Sequence, residues 1–233
     1  MGPVVDSAAV REPSSWGGMT VGRKLTPLTV QTLGSIPDPC RRCVFWELGP
    51  RAHPRGSDEA ALQKEAWLSS VMLEWGPVGH VLTVDGVVAA YSLYAPASFL
   101  EQAKAQVARP VSRDAVLLAT LAVLPEFEGQ GIGKVLLQSM ARDLTRRKVR
   151  AVEAFADRAW STRACHLPAG FLEASGFQVV REHPRFPLMR MDLRTVLRWR
   201  DAREAALEVL RVPVPAQPAL RPVPTVPEPS RFE

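Results

Sequence analysis

Residues 124–137 read LPEFEGQGIGKVLL and carry Gly129, Gly131 and Gly133 within five positions. The stretch before them, AVLLATLAV, is a continuous apolar run of the kind that forms a buried strand. The stretch after, GIGKVLLQSMARDLTRR, alternates apolar and polar residues at helical spacing. A strand that ends in proline, followed by glycines that open a helix, exposes the amides of the first turn. Those amides point at one spot, and the helix dipole favours an anion there. Glycine also lets a pyrophosphate come close to the backbone. Two other phosphate loops fail on the residues. A Walker A loop would need glycine where Glu128 stands and a hydroxyl where Val135 stands. The dinucleotide fingerprint would need its third glycine where Lys134 stands.

The flanking chain alternates strand and helix signals. Residues 57–76, SDEAALQKEAWLSSVMLEWG, start on a capping serine and stop at Gly76, which predicts a helix. Residues 80–94, HVLTVDGVVAAYSLY, are two apolar runs around Asp85-Gly86, a hairpin signal. A helical stretch over 98–108 stops at Pro110. Beyond the glycine helix come a buried strand over 151–156, a short helix in PAGFLEASGF, and two strands in FQVVRE and PLMRMDL. The order predicts an α/β (α+β) fold with a mixed sheet, in which the strands at 115–124 and 151–156 run parallel through a helical crossover. Residues 1–23 are rich in Gly, Pro and Ser and read as a disordered lead. Residues 194–211 suit a peripheral helix, and 212–233 form a Pro-rich tail of extended character that would suit a partner.

Composition narrows the class. Apolar residues make up 46% of the 233, enough for a core, and no apolar run approaches the roughly 18 residues of a membrane span. The net charge of +5 suits an anionic ligand but is too small and too dispersed for nucleic acid. Five of the 29 basic residues are lysines and 24 are arginines, which hints at a GC-rich bacterial source. The N-terminus lacks a basic start before an apolar block, so the expected location is the cytoplasm.

The segment LAVLPEFEGQGIGKVLL resembles the acetyl-CoA loop of the GNAT superfamily of N-acetyltransferases. The strand AVEAF and the helix LPAGFLEASGF resemble the elements that follow it in that family, and the likeness covers roughly residues 24–193. The resemblance implies a GNAT fold and transfer of an acetyl group from acetyl-CoA to an amine, with the acceptor, small molecule or protein, unspecified. It implies that the amides of Gly129, Gln130, Gly131, Ile132, Gly133 and Lys134 hold the pyrophosphate. It also implies that Leu121, Ala122 and Val123 pair with the pantetheine arm. Three positions depart from the family. Glu128 stands where Arg or Gln is frequent, Leu172 where a tyrosine often protonates the departing thiolate, and Cys165 where asparagine is common. The loss of the tyrosine leaves open a different class of function, an acyl-CoA-binding regulatory or interaction module.

The chemistry needs an amine to lose a proton and a thiolate to leave. Thiolate departs with modest help, and alignment of the reactants supplies much of the rate. Four residues are candidates for proton transfer. Glu153 lies in the strand after the glycine helix, where a carboxylate near the splay would serve as a base. Cys165 and His166 precede the closing helix. Tyr94, one of only two tyrosines, shares a strand with Tyr91, and their spacing of three turns them to opposite faces unless a bulge intervenes. Each residue has an ordinary reading too, as core, turn or strand packing. Cys40-x-x-Cys43 is half of a zinc site with Cys165 and His166 as the other half, a redox pair, or two ordinary cysteines. Neighbours such as Cys165 and His166 point apart on most backbones, so no metal is expected.

Overall fold

The computed structural model describes residues 22–49, 57–160 and 165–194. Residues 1–21 of the expected lead over 1–23, the peripheral helix over 194–211 beyond its first residue, and the Pro-rich tail over 212–233 lie outside the described residues.

The expected alternation is present. The hairpin consists of β2 (Gly79–Val84) and β3 (Val87–Ala95), with Asp85 and Gly86 both at positive φ, 50° and 83°. That is the turn whose twist matches the paired strands, and it explains the Asp-Gly pair. Next come β4 (Ala115–Val123), β5 (Ala151–Asp157), β7 (Gln178–Arg181) and β8 (Leu188–Asp192). Two strands escaped the sequence reading. β1 (Arg23–Pro27) pairs with β2, so Arg23 belongs to the sheet rather than to the lead. β6 (Leu167–Pro168) is a two-residue bridge to β5. The sheet order is β1-β2-β3-β4-β5-β8-β7, and β4 and β5 are parallel as expected.

The helices are α1 (Val30–Leu33), α2 (Phe45–Leu48), α3 (Asp58–Glu74), α4 (Glu101–Ala105), α5 (Ile132–Arg146) and α6 (Ala169–Ala174). Ser57 caps α3 by accepting the Ala60 N–H, as its sequence implies. The predicted helix over 98–108 is shorter and broken. Leu100 is extended between a 3-10 turn at Ala97–Phe99 and α4, and Gln106 is extended after it.

Alternation along the strands splits the core between the two faces. Leu117 and Phe155 pack with Leu33, Trp46, Leu68 and Tyr91 on the side of α1–α3. Leu118, Val152 and Ala154 pack with Tyr94, Met140, Leu144 and Leu172 on the side of α5 and α6. The buried stripe of α5, Ile132, Leu136, Leu137, Met140, Ala141 and Leu144, has the helical spacing that laid it there.

Candidate active site

The middle of the sheet opens. β4 has nine residues and β5 seven, yet they pair only at Ala115↔Ala151, Val116↔Val152 and Leu117↔Glu153. On its other edge β4 stays paired with β3 up to Ala90↔Val123. The register there skips Ala119, because Tyr94 faces Leu118 and Leu93 faces Thr120. This one-residue bulge bends β4 where it leaves β5. The first five residues of β4 are buried and the last four, 120–123, are only half-buried, although the strand is central in the sheet. Leu124 donates its N–H to the Ala89 carbonyl at 2.8 Å. Alternation then turns the backbone of Ala122 toward β3 and that of Leu121 and Val123 toward the unpaired edge.

The glycine turn stands at the mouth of this opening. Gly131 caps α5 at φ 75°, in the left-handed region, with no side-chain cap. Gly129 shares that conformation at φ 74°. Nothing lies within 4 Å of a Cβ built on either, so backbone conformation demands glycine there while the space in front stays open. Gly133 is glycine for a different reason. Its Cβ would lie 3.1 Å from the Phe171 ring and 3.6 Å from Leu121, so α5 packs directly on α6 and β4. The amides of Lys134 and Val135 turn back to the Gly131 carbonyl at 3.1 and 3.3 Å. Those of the preceding positions lie beyond the reach of the helical pattern. Glu128, Gln130 and Lys134 are exposed, and Gln130 reaches the Glu126 carbonyl at 3.4 Å.

The four proton-transfer candidates do not converge. Glu153 sits at the last paired position, on the closed side of the opening. It is fully buried, with Oε1 2.9 Å from Arg190 Nη1 and Oε2 accepting the Ser112 N–H at 2.9 Å. Arg190 also grips Asp114 at 2.9 Å and draws its carboxyl below the usual range. The carboxylate expected near the splay thus stands at its edge but is clamped, because pairing of β4 with β5 persists through residue 153. Tyr94 is also fully buried. Its hydroxyl donates to Asp143 Oδ2 at 3.0 Å, and burial followed by the Asp143 charge raises its pKa far above 10. Asp143 lies eleven residues past the start of α5, about 16 Å along the helix from the glycine turn.

Cys165 and His166 stand together beside the end of β5, just before its bridge to β6. The Trp46 indole donates to the Cys165 carbonyl at 2.7 Å, and Trp46 stacks on Phe155. His166 lies edge-on to Phe45 and Trp46, with Nε2 3.2 Å from Gln106 Oε1. With the Gln106 amide oriented this way its oxygen accepts from Nε2–H, the tautomer that leaves Nδ1 its lone pair. Burial lowers the His166 pKa to about 4 against a smaller opposing pull from Asp157, so the ring is neutral near pH 7. Cys40 contacts the Tyr91 hydroxyl, while Cys43 Sγ lies 3.9 Å from Cys165 Sγ. Among the described residues no three His, Cys, Asp or Glu side chains are arranged to hold a metal.

The acetyltransferase (GNAT) family model matches residues 42–171, more than half of the chain. The chain belongs to the GNAT acetyltransferase family. This GNAT protein is thus an acyltransferase with acetyl-CoA as its co-substrate. Its fold is similar to that of YncA from Salmonella typhimurium, solved with acetyl-CoA. That match has a TM-score of 0.50 and 17% identity, over 73% of this chain and 94% of the other. It is likewise similar to an N-acetyltransferase from Staphylococcus aureus Mu50, at 0.50 and 14% identity, over 74% and 99%. A ribosomal-protein-alanine N-acetyltransferase from Brucella melitensis matches at 0.50 and 18% identity, over 72% and 99%. No curated protein sequence matches. Among the described residues no helix is long and apolar enough to cross a membrane.

In this GNAT chain Leu172 is fully buried against the α5 core, which offers no proton donor at the place where the family often has tyrosine. The partners that define the site were not legible in advance. Gln106, Ser112 and Arg190 act through contacts 41 to 60 residues apart or across neighbouring strands, for which no short motif exists.

Proposed function

We propose that this enzyme moves the acetyl group of acetyl-CoA onto a primary amine. The observation that carries the reading is the half-open β4 leading to an uncapped, glycine-built helix start. One slot offers strand edges for an amide-bearing arm and amides for a pyrophosphate. In this reading the amides of Gly129, Gln130, Gly131, Ile132 and Gly133 take the pyrophosphate, the Lys134 amide being engaged with the Gly131 carbonyl. Leu121 and Val123 present backbone groups to the pantetheine arm, and Ala122 holds the strand to β3. Lys134 adds a cation at the rim.

The amine nitrogen attacks the thioester carbon, the C–N bond forms, the C–S bond breaks, and the electron pair leaves on sulfur. CoA thiolate, with a pKa of roughly 8.5, departs without a strong acid, so Leu172 is compatible with turnover. The ammonium proton must go to a neutral base. His166 Nδ1 is our candidate, with Cys165 beside it. Glu153 and Tyr94, engaged with Arg190 and Asp143, serve the fold in this reading. We place the enzyme in a bacterial cytoplasm, with the Pro-rich residues 212–233 as a segment for a partner.

Calorimetric titration with acetyl-CoA, followed by detection of released thiol across a panel of amines, tests this. Binding with amine-dependent thiol release supports it. Binding without release from any amine would favour the acyl-CoA-binding module instead. No binding at all would remove the reading.

A further inference from the structure

The Cys-x-x-Cys spacing suggests that Cys40 and Cys43 pair with each other. The fold gives each thiol a different hydrogen-bond partner. Cys40 contacts the Tyr91 hydroxyl. Cys43 meets a cysteine 122 residues along the chain, Cys165, with the two sulfurs 3.9 Å apart. None of the three cysteines is in a disulfide, and all are partly exposed. The surroundings of Cys43 favour thiolate. The Cys165 thiol and the Phe45 amide hydrogen-bond to it, and together with the Lys64 charge they outweigh burial and Glu47 to lower its pKa to about 6. Lys64 itself is anchored, with Nζ 2.7 Å from the Cys43 carbonyl and 2.9 Å from Glu47.

We propose that Cys43 and Cys165 are a thiol-oxidation site that closes to an intramolecular disulfide when the protein meets a peroxide. The Cys43 thiolate attacks one peroxide oxygen. The O–O bond breaks, and the leaving hydroxide takes a proton to become water, so Cys43 is oxidised to the sulfenic acid. Cys165 sulfur then attacks Cys43 sulfur. The S–S bond forms, the S–O bond breaks, and the departing hydroxide leaves as water with the Cys165 proton. Two electrons pass from the two thiols to the peroxide. The sulfurs must approach by about 2 Å to reach a disulfide bond length, a distance within rotamer adjustment of two partly exposed side chains. A low-pKa thiolate with a resolving thiol in contact is the arrangement that makes such oxidation selective. The bond would tie the segment entering α2 to the segment entering β6, across the Trp46 indole that already joins them.

The test is hydrogen peroxide treatment of the full-length protein, then thiol counting and non-reducing peptide mapping, alongside Cys40→Ser, Cys43→Ser and Cys165→Ser. The expected result is loss of two of the three thiols and a peptide pair joining residues 43 and 165. The link should be reversed by dithiothreitol, unchanged in Cys40→Ser, and absent in the other two variants. Retention of all three thiols, a link between Cys40 and Cys43, a link between two chains, or over-oxidation of Cys43 without a link would overturn it. Mapping of the wild type decides the question even where a serine variant folds poorly.

Discussion

The two halves of β4 have nearly the same amino-acid character and opposite fates. Residues 115–119 and 120–123 are both drawn from Ala, Val, Leu and Thr, and both sit in the middle of the sheet. The first half is buried, holds all of the pairing to β5 at residues 115–117, and runs beside a charge cluster of Glu153, Arg190 and Asp114. The second half is half-buried, paired on one edge only, and faces the glycine turn. Hydrophobicity does not distinguish them. The difference comes from the bulge at Ala119 and from what lies beyond each end. An ion-pair clamp closes the sheet at one end, and a helix start with unsatisfied amides leaves it open at the other.

Breaking the clamp should cost the most. Glu153→Ala leaves Arg190 partly buried with only Asp114, and the Ser112 amide without an acceptor. Removal of one partner of a buried pair typically costs about 3–5 kcal/mol, and that is the loss expected in chemical denaturation. Activity per folded molecule should survive. A Glu153→Gln variant that stays folded but loses two or more orders of magnitude in kcat would return Glu153 to catalysis and erase the contrast.

Breaking the open half should leave stability nearly intact and destroy ligand binding. Gly131→Glu puts a carboxylate at the helix start, where the proposed pyrophosphate sits, and forces a side chain onto φ 75°. The strain costs about 1 kcal/mol. Acetyl-CoA affinity should fall on the order of a hundredfold or more, read by calorimetry. Equal affinity in variant and wild type would mean the anion binds elsewhere.

The fold was largely legible because its strongest signals are local. The Asp-Gly turn, the Ser57 cap, the apolar runs of β4 and β5 and the stripe on α5 each sit within one segment. β1 escaped because it is mostly exposed and short, without an alternating face. The site was half legible. The glycine turn is a contiguous motif. The clamping of Glu153, the locking of Tyr94 and the meeting of Cys43 with Cys165 are non-local pairings that no spacing rule encodes.

His166 sharpens the comparison from the open side. Its pKa falls from 6.5 to about 4 by burial, so between those values the unfolded chain binds more protons than the folded one. Stability from this group is therefore complete above pH 6.5 and declines as pH falls toward 4, on the order of 3 kcal/mol. His166→Asn should flatten that part of the pH profile relative to wild type. Under the proposed mechanism it should also lower kcat by tenfold or more, less than a base of well-matched pKa would. An unchanged slope would mean that His166 titrates alike in the folded and unfolded chain, so that burial does not shift it.

The smallest effect concerns Tyr94, and it separates packing from chemistry. Tyr94→Phe removes a hydroxyl that donates to Asp143, but Asp143 keeps Arg147 at 3.3 Å and Arg146 at 3.7 Å. No buried charge is stranded, so the cost should be that of one hydrogen bond, about 1 kcal/mol. The ring still fills its place against Trp75, which the Arg147 guanidinium covers at 3.5 Å. Because the hydroxyl is tied to the far end of α5 from the glycine turn, kcat and the acetyl-CoA dissociation constant should match wild type. A tyrosine acting as acid would instead lose roughly a hundred- to ten-thousandfold in kcat on removal of its hydroxyl. Such a loss, with stability unchanged, would move the reacting centre toward β3 and away from the Cys165–His166 side of β5.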